Sequence, residues 1–342
     1  MIGYYVHHHG RGHVTRAGSL LPHLPSGTEV TGLSSLPRPT GWPQLWVQLD
    51  PDADADPFEL PEDATAGGTF HWVPRGHPGL RSRMSTISRW IDATRPDVVV
   101  VDTSVEVATL CRLHGVPVVS LIQPGDRTDP PHTLGLGLAE RLVAPWPADV
   151  ADVVRGVAPD DPRLVHVGAF SRFDGREPVP PGPAPSEDGT RHVVVLSGAG
   201  GSALTTKALD RARASTPGWT WTLLGGPDGT WVDDPWAALC RADVVVTHAG
   251  QNALAEVAAA RRPAVVIPQE RPHDEQRTSA AALAADGRLP VLVLQEFADD
   301  GWPDVLDRVA ELDGSAWQRW NDGQGARRLA AVVLEVAGRA GA

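Results

Sequence analysis

Short apolar runs recur along the chain, and a turn followed by helix-like sequence separates each run from the next. A first series occupies residues 2–6, 29–33, 98–101, 116–121, 142–144 and 165–167. A second series begins at 192–196 and continues through 220–224, 243–247, 264–267 and 290–293. Runs this short and this rich in Val, Ile and Leu read as strands buried on both faces. Helices between successive strands point to parallel pairing, because a parallel partner is reached only by a crossover. The alternation therefore predicts an α/β chain with two parallel-sheet domains of similar size. Between the two series, residues 171–190 read SRFDGREPVPPGPAPSEDGT. Pro178, Pro180, Pro181, Pro183 and Pro185 forbid helix and central strand there, so the segment reads as a linker. The expected domains are 1–170 and 191–323. A last helix follows within 324–342, with Leu329, Val332, Val333 and Val336 on one face. Residues 41–79 have little periodicity, and a strand near 70–73 with loops around it is all that they predict.

A length of 342 residues agrees with two domains. The net charge of −12 argues against a phosphate-backbone binder, which needs a basic face, so no nucleic-acid partner is expected. A local basic pocket for one diphosphate stays compatible with it. The only cysteines, Cys111 and Cys240, do not make a disulfide framework. The opening MIGYYVHHHG has neither the basic start nor the apolar length of a secretory signal. No run reaches the ~18 apolar residues of a membrane span. A cytoplasmic protein is expected, with peripheral membrane contact left open.

In open α/β sheets, ligands sit at the carboxyl ends of strands, and chemistry-bearing motifs follow several of the runs. VLSGAGGSAL, residues 195–204, leaves a strand and opens a helix. Gly198, Gly201 and Ser202 would let backbone N–H groups approach a phosphate at a helix N-terminus. The same stretch reads as a relaxed dinucleotide fingerprint, Gly198-x-Gly200-x-x-Ala203. That reading wants an acidic residue after the next strand, where Gly225-Gly226-Pro227-Asp228 fits poorly. A tight turn without ligand is the third possibility. In THAGQNALAE, residues 247–256, His248 stands at a strand end, Asn252 one turn on and Glu256 a turn further, on one side of the helix. His248 and the N–H groups around Gly250 suit a phosphate, and Glu256 suits a vicinal diol. Singly, His248 is as well explained as a buried hydrogen-bonding residue and Glu256 as a solvated charge. PQERPHDEQ, residues 268–276, puts Glu275 and Gln276 at the next strand-to-helix junction, where Asp274 and Glu275 also read as an N-capping cluster.

The order His-x-Gly-x-Asn-x-x-x-Glu, then a proline ending the next strand, then Glu-Gln, resembles the nucleotide-sugar signature of glycosyltransferases. It is similar to T-H-x-G-W-N-S-x-x-E of the UDP-glycosyltransferases. It also looks like the C-terminal domain of glycosyltransferase family 28, the group of the N-acetylglucosaminyltransferase that makes lipid II. The resemblance is strong over 193–282. It implies the GT-B fold, two Rossmann-like domains facing across a cleft, and lets the last helix cross back to the first domain. It implies His248 and Asn252 near the diphosphate, Glu256 on the ribose, and Glu275 with Gln276 on the donor sugar. The backbone around Val232, in TWVDDPW, would read the base. Gln251 stands where the signature has Trp, and Ala253 where it has Ser, which puts one phosphate contact in question.

The N-terminal motif is HHHGRGHVTRA, residues 7–17. Neighbours on an extended chain face opposite ways, so His7, His8 and His9 do not converge on a metal without a bend. Gly10 and Gly12 make a turn, and His13 opens a helix. By resemblance His13 is the catalytic base, and Asp102, directly after a strand, is the aspartate that orients it; the other reading of Asp102 is a helix cap. Gly12 and Arg16 lie on the acceptor side. Arg16 would meet an anionic acceptor or a donor phosphate, but an exposed helix charge is the preferred reading of it.

Together these readings predict an inverting glycosyltransferase of hexosyltransferase type. It would use a UDP-linked sugar, or next a dTDP-linked one, with an acceptor hydroxyl that the sequence does not identify. The resemblance implies no cofactor and no metal. Acceptor contacts would come from 41–79 and 123–138. A nucleotide-sugar 2-epimerase is the second reading, disfavoured because the N-terminal motifs lack a carboxylate pair. A non-catalytic glycosyltransferase-like auxiliary protein is the third.

Overall fold

The computed structural model describes residues 1–8, 10, 12–52, 63–178, 189–197, 206–226, 229–298 and 300–340. The chain divides into two compact units. Unit 1 comprises Met1–Ala144, Arg155–Val167 and Ala326–Ala342; unit 2 comprises Pro145–Val154 and Gly168–Gly325.

Unit 1 is built on seven strands: β1 (Ile2–Val6), β2 (Val30–Ser34), β3 (Leu45–Gln48), β4 (Val98–Asp102), β5 (Val118–Leu121), β6 (Arg141–Ala144) and β7 (Leu164–His166). They lie in the order β3-β2-β1-β4-β5-β6-β7, all parallel. Both faces of β1 and β4 are buried, as their continuous apolar sequence requires. Helices α1 (Gly12–Leu20), α2 (Pro78–Thr94), α3 (Val105–Leu113) and α4 (Pro130–Gly137) fill the connections. The strand order reverses between β1 and β4. There the following helices, α1 and α3, depart to opposite sides and leave a crevice, the topological switch point of a doubly wound sheet. Val6 pairs with Asp102 in register, so the two strands end together.

Unit 2 carries β8 (Arg191–Leu196), β9 (Trp219–Leu224), β10 (Val244–Thr247), β11 (Ala264–Val266) and β12 (Val291–Val293), in the parallel order β9-β8-β10-β11-β12. Its switch point lies between β8 and β10. Helices α5 (Thr206–Ser215), α6 (Trp236–Arg241), α7 (Gln251–Ala259), α8 (Glu275–Asp286) and α9 (Trp302–Ala310) pack around it. Trp302, Leu306 and Val309 lie on one face of α9 and join Val193, Val195, Trp221 and Val246 in the core. Trp302 meets Trp221 edge-on at 5.2 Å. Each such side chain contributes about 1.5–3 kcal/mol by leaving water.

Several expectations need correction. Residues 70–73 are not a strand. The backbone N–H groups of His71 and Trp72 both donate to Glu106 Oε1 at 3.0 Å, so a side-chain carboxylate satisfies them instead of a neighbouring strand. The strand of this region is β3, which pairs with β2 as the sheet edge and leaves Leu45 61% exposed. Residues 171–178 are not free linker: Phe173 is buried in unit 2 against Trp236, at 5.2 Å. The rest of the Pro-rich stretch, 179–188, lies outside the described residues. The C-terminal helix Gly325–Ala340 buries Leu329, Val332, Val333 and Val336, and its residues from 326 onward belong to unit 1. Cys111 and Cys240 are buried free thiols. Among the described residues no helix is long and apolar enough to cross a membrane.

Gly3, the second residue of β1, shows how tightly α2 lies on the sheet. A Cβ there would stand 2.5 Å from Trp90 Cη2 and 3.0 Å from Val99 Cγ2. Gly3→Ala is expected to cost about 1–3 kcal/mol by overpacking. Urea unfolding checks this, and an unchanged midpoint would mean that Trp90 and α2 shift freely.

Candidate functional site

In unit 1 the chain leaves β1 through a turn and re-enters as α1, so the second residue of that helix, His13, faces the end of β4. Asp102 closes β4 and is fully buried. His13 Nδ1 lies 3.0 Å from Asp102 Oδ1, with the ring nitrogen somewhat off the ideal hydrogen-bond direction. Arg16, one turn along α1, donates from Nη1 to the same oxygen at 2.8 Å. Gln123 Nε2 approaches that oxygen too, at 3.4 Å. Burial alone would raise the Asp102 carboxyl. The Arg16 guanidinium and then His13 outweigh it, and the carboxyl is held below its ordinary value.

Two readings change here. Asp102 is not the cap of α3: Ser104 is, its hydroxyl accepting from Val107 N at 3.2 Å. Arg16 is not an exposed charge; it is 6% exposed and turned onto Asp102. Gly12 is the first residue of α1. The histidine run also bends. His7 and His8 stack at 4.8 Å, and His7 meets His13 edge-on at 5.4 Å, because the chain has left the strand before these side chains emerge. His9 lies outside the described residues.

Beyond Asp102, Thr103 has φ 68, a left-handed backbone that a β-branched residue rarely adopts. Such strain costs about 1–3 kcal/mol and collects at functional sites. Its hydroxyl has no hydrogen-bond partner among the described residues. A pocket opens beside it, lined by Thr103, Val105, Ile122, Gln123, Arg127 and Leu136 among others. His71 and His132 also line this pocket, and with Asp129 their ligand atoms lie within 4.8 Å of one another. Their order is that of a hydrogen-bonded cluster. His132 gives Nδ1 to Asp129 at 2.8 Å and turns Nε2 to Arg127 at 3.1 Å. Burial lowers the His132 imidazole to about 4, so it accepts from Arg127 as a neutral ring.

In unit 2 the turn after β10 holds His248 and Gly250. Gly250 N donates to His248 Nδ1 at 3.0 Å, which leaves the other ring nitrogen, Nε2, to carry the proton. A Cβ on Gly250 would lie 2.5 Å from His248 Cε1, so only glycine fits. Burial, then the Arg271 charge, depresses the His248 imidazole to about 4. Gly250 is the N-cap of α7 and makes no side-chain cap bond; a helix N-terminus such as this presents its positive end to an anion. Asn252 stands in that first turn, half-buried.

Glu256 is 8% exposed, not a solvated charge. It accepts from Arg172 Nε at 2.8 Å, and Arg172 Nη1 donates to the Asp233 carbonyl at 2.7 Å. Burial raises the Glu256 carboxyl, against the pull of Arg172. Arg176 pairs with Asp234 at 2.8 Å. The two arginines thus hold the loop that exposes Trp231 and Val232. Gln276 is buried, its Oε1 accepting from Gln269 N at 2.9 Å, while Glu275 starts α8 half-buried. Asp274 occupies the N-cap position with φ 55 but makes no side-chain cap bond, so the capping reading does not hold. Gly198, Gly201 and Ser202, with the fingerprint reading of that loop, lie outside the described residues.

Residues 231–309 match the glycosyltransferase family 28 C-terminal domain. No curated protein sequence matches the chain. Among solved structures, the glycotransferase of kitacinnamycin is 16% identical with a TM-score of 0.65, covering 99% of this chain and 97% of its own. MurG of Acinetobacter baumannii is 16% identical at TM-score 0.63, with 98% and 99% covered. The calicheamicin glycosyltransferase CalG4 is 17% identical at 0.62, with 99% and 98% covered. The fold is GT-B. In this GT-B chain the two motif sets fall at the two switch points, His13 and Asp102 in unit 1 and His248 to Glu256 in unit 2. Arg172 and Arg271 went unread in the sequence. Arg271 lies within the 268–276 motif, but Arg172 is hidden in a stretch that its prolines mark as linker.

The neutral state of His248 has a pH signature. Its folded value lies below the unfolded value near 6.5, so between pH 6.5 and about 4 the unfolded chain binds more protons. The stability that His248 contributes is complete above that window and is lost as pH falls through it. His248→Asn is expected to flatten this acid dependence by about 3 kcal/mol in urea unfolding at stepped pH. An unaltered slope would mean that the ring is solvated.

Proposed function

We propose that this chain is an inverting glycosyltransferase that moves a sugar from a UDP- or dTDP-linked donor to an acceptor hydroxyl, with His13 as base. The observation that carries the reading is the His13–Asp102 contact at a switch point of a GT-B chain. Nδ1 of His13 faces the carboxylate, so Nε2 is the nitrogen that takes the acceptor proton. The acceptor oxygen bonds to the anomeric carbon from the face opposite the leaving group. The carbon–oxygen bond to the diphosphate breaks, the electron pair leaves with it, and the configuration inverts. Asp102 orients the ring and balances the imidazolium that forms.

On the donor side, the negative charge that develops on the diphosphate meets the N-terminus of α7, the Nε2–H of His248 and the Arg271 guanidinium. Glu256 keeps accepting capacity beside its Arg172 bond, since a carboxylate offers about four lone-pair sites, and ribose hydroxyls suit it. Glu275 and Gln276 are assigned to the donor sugar, and the loop at Val232 to the base. These groups need no cofactor for the step. The spinosyn rhamnosyltransferase SpnG, 17% identical at TM-score 0.58, has been solved with thymidine diphosphate, which supports keeping dTDP beside UDP. The pocket at Thr103, mostly apolar in its lining, is assigned to the acceptor. Asp102 is committed to Arg16 and His13, which favours proton transfer by histidine over the carboxylate chemistry of an epimerase.

UDP or dTDP should raise the melting temperature with or without added divalent metal, and Glu256→Gln should weaken that shift. His13→Ala should lower transfer, or slow hydrolysis of the donor, by ~10²–10⁴. Its donor affinity, from a thermal-shift titration, should stay within about a few fold. A large loss of affinity in His13→Ala would move His13 to the donor side and overturn the base assignment.

A further inference from the structure

We propose that Arg16 is a positioning residue for His13, and that its guanidinium shares the Asp102 anion so that the imidazole is oriented without being locked in its protonated form. The mechanistic half of this rests on the proposed role of His13 as base. The geometric half does not.

His13 and Arg16 are three apart on α1 and therefore project from the same helix face. Both aim at one atom, Asp102 Oδ1, His13 Nδ1 at 3.0 Å and Arg16 Nη1 at 2.8 Å. Oδ2 of the same carboxylate has no hydrogen bond among the described residues. The permanent cation and the titratable ring thus compete for one oxygen, away from water. Arg stays charged throughout the working range of a protein. It repels a second positive charge on the neighbouring ring, while the carboxylate attracts one. The balance of the two decides how readily the ring gives up its proton.

Few other groups enter that balance. From β1, Tyr4 is fully buried beside Asp102, and burial keeps its phenol neutral. From the turn after β1, His7 stands edge-on to His13, with His8 stacked behind it and Asp52 3.9 Å from His8. From the segment after β5, Gln123 approaches Oδ1 with an uncharged amide. Asp52 is itself paired with Arg83 at 3.0 Å, and Arg16 is the permanent cation that bonds Asp102. A salt bridge that served only to fasten α1 to β4 would leave the ring's titration indifferent to Arg16. Sharing one oxygen makes it dependent.

The test is an NMR titration of protein with isotope-labelled histidine, compared with the pH profile of donor hydrolysis or transfer. The chain has 13 histidines, so His13 is assigned by the signal lost in His13→Gln. In Arg16→Gln the His13 midpoint should rise by about one unit or more, because the anion is no longer shared. The acid limb of the activity profile should rise with it. Arg16→Lys, which keeps the charge, should titrate close to the native protein. Asp102→Asn, close in shape to the native residue, should move the midpoint down, since the guanidinium then acts on the ring unopposed. An unmoved midpoint in folded Arg16→Gln overturns the proposal. So does an Arg16→Lys midpoint displaced as far as that of Arg16→Gln. If Arg16→Gln does not fold, an unmoved midpoint in Asp102→Asn overturns it. A midpoint that moves as expected while the acid limb stays in place upholds the coupling of Arg16 to His13, and instead refutes His13 as the base.

Discussion

A carboxylate buried at the end of a central strand has to be matched by positive charge, and in unit 1 everything near the switch point follows from that demand. Asp102 cannot stay ionised in an apolar sheet without compensation, since an isolated buried carboxylate would take up a proton instead. The chain meets the need from a single helix. α1 starts just past the end of β1, the strand that pairs with β4, and its first turns deliver His13 and Arg16 to the same oxygen. Moving either side chain off that helix face would leave the carboxylate underpaired, so the start of α1 and the register of β1 on β4 are bound to one another.

Unit 2 handles a buried carboxylate by other means. Glu256 sits on α7, and its cation comes from outside the sheet and helices, in the segment that enters the unit from Gly168. Arg172 then reaches on to the Asp233 carbonyl, and Arg176 takes Asp234. The entry segment and the loop that exposes Val232 are thereby tied together, with Phe173 packed beneath the guanidinium of Arg172 at 4.7 Å. These parts of unit 2 so form one connected set of contacts, in which a change at residue 172 is felt at 256 and 233 at once.

Most of the sheet framework was legible because short β-branched runs of three to six residues between helical stretches point to parallel strands joined by crossovers. β3 was not, because an edge strand of four residues, LWVQ, alternates too briefly to stand out, and the aromatic stretch nearby looked more strand-like. What the pattern could not carry was the destination of backbone N–H groups, which at 71 and 72 go to Glu106. His13 and Asp102 were singled out together by the family resemblance, and the fold brings His13 Nδ1 within 3.0 Å of Asp102 Oδ1. Arg16 was misread because spacing on a helix says which residues share a face, not whether that face meets water or a strand end. Arg172 was missed because composition assigns a Pro-rich stretch as a whole, whereas its first eight residues fold onto unit 2.

The ring of His248 has a consequence for how ligands are told apart. With Nδ1 committed to the Gly250 amide and the ring neutral, it presents a proton but no net charge. In the donor site proposed above, its contribution would therefore depend on the direction of a ligand's lone pair and be almost blind to ionic strength, whereas that of Arg271 would be a Coulomb attraction that salt screens. Between them the turn after β10 and the loop after β11 would divide recognition of the donor into a directional part and a charge-dependent part. At high salt, the directional part alone would choose among anions of equal charge.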